Sequence, residues 1–244
     1  MWTTAKIPSR WNRSAKTWVN KNKDFAYCLW THAELETFVA DEYPWLLSTY
    51  HDYTYLIQRC DVARYMFLYH YGGVYVDLDV VCHTPLATMF DDASPSAGII
   101  LTPAVPLGIA TDFIAVRQPR DPVLLGVLSG LRRAAASWLY FPLPYTSVMF
   151  RTGPVYFTRR IYCHDHRENI FVLPSSKNRK YIGYVGGASW HNWDGWIIWN
   201  LFLLRHYLLF ATGVFFILFF CIRCSIVRYF KNQLRARIRT GISS

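Results

Sequence analysis

"CDVARYMFLYHYGGVYVDLDVV", residues 60–81, decides the fold class because two periodicities meet inside it. Up to Tyr71, apolar or aromatic residues fall at Val62, Tyr65, Met66 and Tyr69, the spacing of an amphipathic helix. Gly72 and Gly73 then stop the helix, as glycine does at helix C-termini. Beyond them the period becomes two. Val74, Val76, Leu78 and Val80 line one face of a strand, which puts Asp77 and Asp79 on the same side, roughly 7 Å apart. Asp61 and Arg64, three residues apart, share a helix face, and the Gly-Gly turn folds that helix back toward the strand. Burying a charge is costly unless it is paired or binds a metal, so four charges in an apolar run need a common partner.

Two like-charged carboxylates on one side of a strand repel each other, and a hard divalent cation relieves them. Mg²⁺ or Mn²⁺ takes such oxygen ligands and bridges to substrate phosphates. A metal, an arginine and a further carboxylate suit a diphosphate joined to a polyhydroxylated group. A lone D-x-D also occurs in calcium loops and plain surface turns, and an Asp–Arg pair on a helix is usually a simple salt bridge. Helix, Gly-Gly turn and strand with D-x-D together are far more specific.

Working outward, "FAYCLW" (25–30) reads as a strand and "HAELETFVADEY" (32–43) as a helix with Leu35, Phe38 and Val39 on one side. Residues 91–121, with several prolines, read as loop-rich. "DPVLLGVLSGLRRAAASWL" (121–139) reads as a second helix, "NIFVLP" (169–174) as a late strand, and "YIGYVGGASWHNWDG" (181–195) as a loop. Mixed helix and strand signals point to an α/β domain.

The 244 residues allow one medium-sized domain and an appendage. With 52% apolar and 17% charged residues, disorder is excluded as the general state. The aromatic share, 18%, suits a lipid interface or a sugar-lined cleft. Much of the net charge of +10 belongs to the C-terminus: no acidic residue follows Asp194, whereas Arg205, Arg223, Arg228, Lys231, Arg235, Arg237 and Arg239 do. "YLLFATGVFFILFFCI" (207–222) carries no charge and as a helix would span roughly 24 Å. Apolar all round and followed by cations, it reads as a membrane span with its positive flank in the cytosol, after an aromatic interface segment. The cations adjoin the span, which favours anionic lipid headgroups over nucleic acid as their partner.

No apolar signal region follows Met1. The span would therefore carry the domain across the membrane, or anchor a cytosolic domain by its tail, or the chain lacks an upstream segment. Of six cysteines, Cys221 and Cys224 form a C-x-x-C at the end of the span, a setting for packing or acylation rather than metal. Asn12 opens one glycosylation sequon.

"RCDVARYMFLYHYGGVYVDLDV" resembles the DXD sugar-binding region of glycosyltransferases with the glycosyltransferase-A fold, in the group of the initiating α-1,6-mannosyltransferase and the mannosyl inositol phosphorylceramide synthases. The blocks "KIPSRWNRSAKTWVNKNKDFAYCLWT", "EYPWLLSTYHDYTYLIQRCDVARY", "PLGIATDF", "YTSVMFRTGPVYF" and "GASWHNWDG" extend the likeness to the inositol phosphorylceramide branch over nearly all of the chain before the apolar run.

The resemblance implies a Rossmann-like catalytic domain over residues 1–195, an interface segment and transmembrane helix over 196–222, and a basic tail over 223–244. It implies a retaining, Mn²⁺- or Mg²⁺-dependent transfer of mannose from GDP-mannose to inositol phosphorylceramide at an endomembrane such as the Golgi, with room for a regulatory protein subunit. It implies that Asp79 ligates the metal directly and that Asp77 contacts the metal and donor sugar. Asp61 and Arg64 would hold donor-sugar hydroxyls, and His191 would meet the metal or diphosphate, although between tryptophans it also reads as an interfacial histidine. Trp30 sits where related enzymes stack the nucleotide base, although the pattern by itself favours a core tryptophan. Asp112, a further donor-binding residue by the resemblance, matches a position usually written Asn-Asp; Thr111 stands in place of that Asn here. Transfer to glycoprotein glycans and a catalytically silent, membrane-bound partner of a transferase are the alternatives. Intact Asp61, Arg64, Asp77 and Asp79 count against the silent one.

Overall fold

The helix read from residues 60–71 starts earlier than its apolar pattern: α4 spans Leu56–Tyr71 and is the most deeply buried helix of the domain. The computed structural model describes residues 6–105, 108–137, 143–186 and 193–205, with individual positions between 207 and 223. The chain divides into two units, Met1–Asn192 and Trp193–Ser244.

In the first unit, α1 (Ser9–Lys21) is followed by α2 (His32–Glu42), whose start is set by a capping box. The Thr31 hydroxyl accepts from the Glu34 amide, and the Glu34 carboxylate accepts from the Thr31 amide at 2.7 Å. A short helix α3 (Leu47–Asp52) leads to α4, which ends on Gly72 at φ 67°. A side chain at Gly72 would also press on the Pro119 backbone nitrogen, at 3.1 Å from a Cβ, so glycine is required twice over. Then come β1 (Gly73–Val76), β2 (Val80–Cys82), α5 (Leu86–Asp92), β3 (Ile99–Pro103), β4 (Ile109–Val116), α6 (Pro122–Ala135), α7 (Pro144–Arg151), α8 (Pro154–Tyr162), β5 (Ile170–Val172), α9 (Ser175–Tyr181) and β6 (Ile182–Tyr184).

Four strands form a mixed sheet in the order β1-β4-β3-β5, with β3 and β5 parallel and the other pairs antiparallel; β2 and β6 form a separate antiparallel pair. The period of two sorts the sheet's side chains into two cores. Ile99, Leu101, Ile114 and Val116 meet α4, α6 and α8, whereas Ile100, Phe113 and Ala115 meet Trp18 of α1, Met89 of α5 and the β2–β6 pair. The protein is therefore α/β, with helices on both faces of a mixed sheet.

Four expectations change. Residues 25–30 run without a strand ladder among the described residues; Phe25, Tyr27 and Cys28 are exposed, and the segment lines a cavity instead. The supposed loop of residues 91–121 contains β3 and β4, the two central strands. Both are buried on both faces, so they lack the alternation that marks a half-buried strand. "VYVDLDVV" is two strands rather than one, broken by a turn in which the Val80 amide donates to the Asp77 carbonyl at 3.1 Å. The supposed loop after residue 180 begins with β6. The helices read at residues 32–43 and 121–139 form as α2 and α6 and the strand read at "NIFVLP" as β5, whereas α1, α3, α5, α7, α8 and α9 are not read from the sequence.

In the second unit residues 193–205 are helical. The expected membrane span at 207–222 and the basic tail lie largely outside the described residues. Among the described residues, no helix is long and apolar enough to cross a membrane.

Candidate active site

The two aspartates of the D-x-D flank the turn between β1 and β2, and neighbouring elements pin that turn on three sides. The Asp77 amide donates to the Asp112 carbonyl of β4 at 2.8 Å, and the Val185 amide donates to the Asp79 carbonyl at 3.0 Å. The indole Nε1 of Trp18 donates to the Val80 carbonyl at 2.8 Å. A turn held by β4, by the end of β6 and by α1 has little freedom, as a site for a charged ligand requires.

Arg64 is the hub. Its side chain is only 2% exposed. Nη2 lies 2.9 Å from Asp61 Oδ1 and 3.7 Å from Asp77 Oδ1, and Nη1 donates to the Thr111 carbonyl. The guanidinium carbon stands 4.8 Å from the centre of the Tyr75 ring, whose hydroxyl donates to Asp77 Oδ1 at 2.7 Å. Burial works against the Arg64 charge, but Asp77, Tyr75 and Asp61 more than offset it and hold its pKa well above the ordinary value. Asp61 is enclosed as well. Its second oxygen accepts from the Thr152 hydroxyl at 2.9 Å, and burial pushes its carboxyl up to about 6 against the pull of Arg64 and Thr152.

Asp112, at the β4 position opposite Asp77, is likewise pushed up to about 6, first by burial and then by the Asp77 charge; the Tyr184 hydroxyl bonds to it and opposes the shift. Its Oδ1 is buried and has no hydrogen-bond partner among the described residues. Asp79 is raised by partial burial and by Asp77. Asp77 and Asp79 thus form a like-charged pair at a turn. No group of three metal-ligating side chains converges among the described residues; a cation on Asp77 and Asp79 would keep positions open for water and substrate phosphate. The pair fits a magnesium- or manganese-type ion held in that way.

A cavity of about 550 Å³ runs from Trp30 and Tyr71 past Gly72 and Gly73 to Val76 and Leu78, beside the D-x-D turn. Trp30 stacks on Phe67 at 4.2 Å between ring centres and also lines this cavity, so it packs on the core and borders the open space.

The fold therefore brings Asp61, Arg64, Asp77, Asp79 and Asp112 together and puts Trp30 on the cavity that adjoins them. His191 lies outside the described residues. Sequence reasoning missed Tyr75, Thr152 and Tyr184. Tyr75 was legible in principle, because on a strand it shares a face with Asp77. The other two carry no local signal; Thr152 is 91 residues from the aspartate it bonds.

The family described as "Glycosyltransferase sugar-binding region containing DXD motif" matches residues 8–96. The chain is 30% identical to Inositol phosphoceramide mannosyltransferase 3 of Schizosaccharomyces pombe over 98% of its length and 67% of that protein. It is 31% identical to Inositol phosphoceramide mannosyltransferase 1 of the same organism, over 97% and 75% respectively. It is 36% identical to Mannosyl phosphorylinositol ceramide synthase SUR1 of Saccharomyces cerevisiae over 63% of this chain and 38% of that one. A solved structure, PaToxG Glycosyltransferase, aligns at a TM-score of 0.48 and 17% identity over 66% of each chain, too distant to bear on the site.

Proposed function

This chain belongs to the DXD-motif glycosyltransferase family of the inositol phosphoceramide mannosyltransferases, and we propose from that premise that it transfers mannose from GDP-mannose to inositol phosphorylceramide. The observation that carries the reading is the arginine hub. Arg64 is locked against Asp61 and presented to Asp77, whose chain neighbours Val76 and Leu78 line a cavity large enough for a nucleoside. The domain is of the glycosyltransferase-A kind in this reading.

The nucleoside lies in the cavity with its base toward Trp30, and the diphosphate reaches the D-x-D turn. Asp79 and Asp77 hold Mn²⁺ or Mg²⁺; the ion, when bound, supplies positive charge to the departing diphosphate. Arg64 adds a fixed charge that needs no reorganisation during the reaction, which lowers the barrier for a leaving group gaining negative charge. The free oxygen of Asp112 accepts from a sugar hydroxyl, which explains an otherwise orphaned buried acceptor.

The apolar run 207–222 anchors the enzyme in an endomembrane, the Golgi in this reading, with the basic tail in the cytosol. The anchor keeps the site near the plane of the acceptor headgroup. A panel of nucleotide sugars incubated with purified protein, with manganese, magnesium or chelator, tests the donor half. GDP-mannose should be turned over fastest and only with metal. Metal-independent turnover, or preference for another nucleotide, would remove the donor assignment.

A further inference from the structure

Thr152 sits at the junction of α7 and α8, fully buried, and its hydroxyl reaches Asp61. The backbone of that junction is held by other groups. The Thr152 amide donates to the Val148 carbonyl at 3.2 Å, the Gly153 amide to the same carbonyl at 2.9 Å, and the Tyr65 hydroxyl to the Thr152 carbonyl at 2.7 Å. The hydroxyl is therefore not needed to close the turn. It has two acceptors in reach, the Asp61 carboxylate at 2.9 Å and the Val148 carbonyl at 3.5 Å, and the shorter contact is to a charged oxygen. Hydrogen bonds to ionised groups are the stronger kind.

Asp61 has few other friends. The groups that face it are Arg64, Cys60 and Tyr65 of its own helix, Tyr53 ahead of that helix, and Asp77 beyond β1. Of these only Arg64 favours its charged form. Without Thr152, Asp61 Oδ2 would be a buried carboxylate oxygen with no donor among the described residues, and the cheapest relief is to take up a proton. A neutral Asp61 no longer anchors Arg64, whose guanidinium is the group presented to Asp77.

We propose that Thr152 is a positioning residue of the transfer reaction: its hydroxyl fixes the Asp61 carboxylate, and through it the fork of Arg64 at the D-x-D turn. The inference rests on the donor-site reading of Asp61 and Arg64.

Donor hydrolysis by the full-length protein tests it, read as a pH–rate profile for wild type, Thr152→Val and Thr152→Ser. Valine keeps the branched shape and removes the hydroxyl; serine keeps the hydroxyl and removes the methyl. The valine variant should have its acidic limb moved up by about one pH unit, the equivalent of one hydrogen bond to a charged group, so that kcat/KM falls about twofold at pH 7 and about tenfold on the limb below pH 6. Serine should restore both to near wild type. In an Asp61→Asn background the valine change should have little further effect. A folded valine variant with the wild-type rate and limb overturns the proposal. So does a serine variant as impaired as valine, which would assign the effect to packing of the methyl, and so does full additivity with Asp61→Asn. If the valine variant does not fold, Thr152→Ala against Thr152→Ser gives the same comparison: an impaired alanine beside an active serine supports the role, and equal rates overturn it. Wild-type protein inert toward GDP-mannose and every other nucleotide sugar would instead strike at the donor-site reading itself.

Discussion

Replacing Arg64 with lysine keeps the charge and removes the fork. In the native site one guanidinium meets Asp61 at 2.9 Å, the Thr111 carbonyl, Asp77 at 3.7 Å and the face of Tyr75 at 4.8 Å. A lysine ammonium is a compact point charge and cannot span these partners together. If it keeps Asp61, the buried Thr111 carbonyl loses a donor, at about 1–3 kcal/mol, and the contact with Tyr75 weakens by about 1 kcal/mol. The total is about 3 kcal/mol. For a domain of this size each kcal/mol lowers Tm by about 2–4 °C, so a fall of about 6–12 °C is expected. The charge presented to Asp77 and the leaving diphosphate is also displaced, and loss of one preorganised donor costs on the order of a hundredfold in turnover. Thermal melts and GDP-mannose hydrolysis on the same preparations give both numbers. A lysine variant with unchanged Tm and turnover would refute the hub. A lower Tm with unchanged turnover would leave Arg64 a structural ion pair.

Asp79→Asn should leave the melting curve near wild type, because its side chain makes no ion pair or hydrogen bond to a buried side chain among the described residues, while donor turnover falls at least a hundredfold; retained turnover with unchanged metal dependence would contradict the metal assignment. Activity should drop as pH falls through about 6, where Asp61 gains a proton. Its folded pKa is raised, so the folded state binds more protons than the unfolded one between the ordinary carboxylate value and about 6, and this group's contribution to stability grows as pH falls over the window in which activity is lost. A profile flat to pH 5 would count against a required Asp61 carboxylate that takes up its proton near pH 6. Removal of residues 207–244 should cost transfer to lipid in vesicles far more than donor hydrolysis, because an anchored enzyme meets its acceptor at high effective concentration; equal losses in a folded truncation would give the tail a part in the donor site. Protease protection in sealed microsomes should leave an N-terminal tag intact and remove a C-terminal one, and the reverse pattern would invert the orientation read from the basic tail.

The site was legible in residues 60–81 because its charges stand out against an apolar background and because helix period, glycine stop and strand period follow one another without ambiguity. The geometry inferred for it was less secure. Period two predicts one continuous strand, whereas the chain turns at Asp77–Val80 because β1 pairs with β4 and β2 with β6, a choice made by partners more than a hundred residues further on in the case of β6. The central strands β3 and β4 escaped because both faces are buried and neighbouring prolines resemble loop punctuation. Asp61 illustrates the other limit. Its pairing with Arg64 follows from helix spacing, but the enclosure of its second oxygen by Thr152 depends on how α7 and α8 pack against α4, which no local pattern encodes.

The central claim is mannosyl transfer to an inositol phosphorylceramide headgroup, and product mass tests it most directly. Purified full-length protein in vesicles containing inositol phosphorylceramide, supplied with GDP-mannose and manganese, should yield a lipid heavier by one hexose. The product should be absent when Asp77 and Asp79 are both changed to asparagine or when chelator replaces the metal. Release of free mannose with no modified lipid, while a glycoprotein glycan in the same vesicles becomes mannosylated, would contradict the lipid acceptor. No turnover of any nucleotide sugar by folded protein would contradict the enzyme.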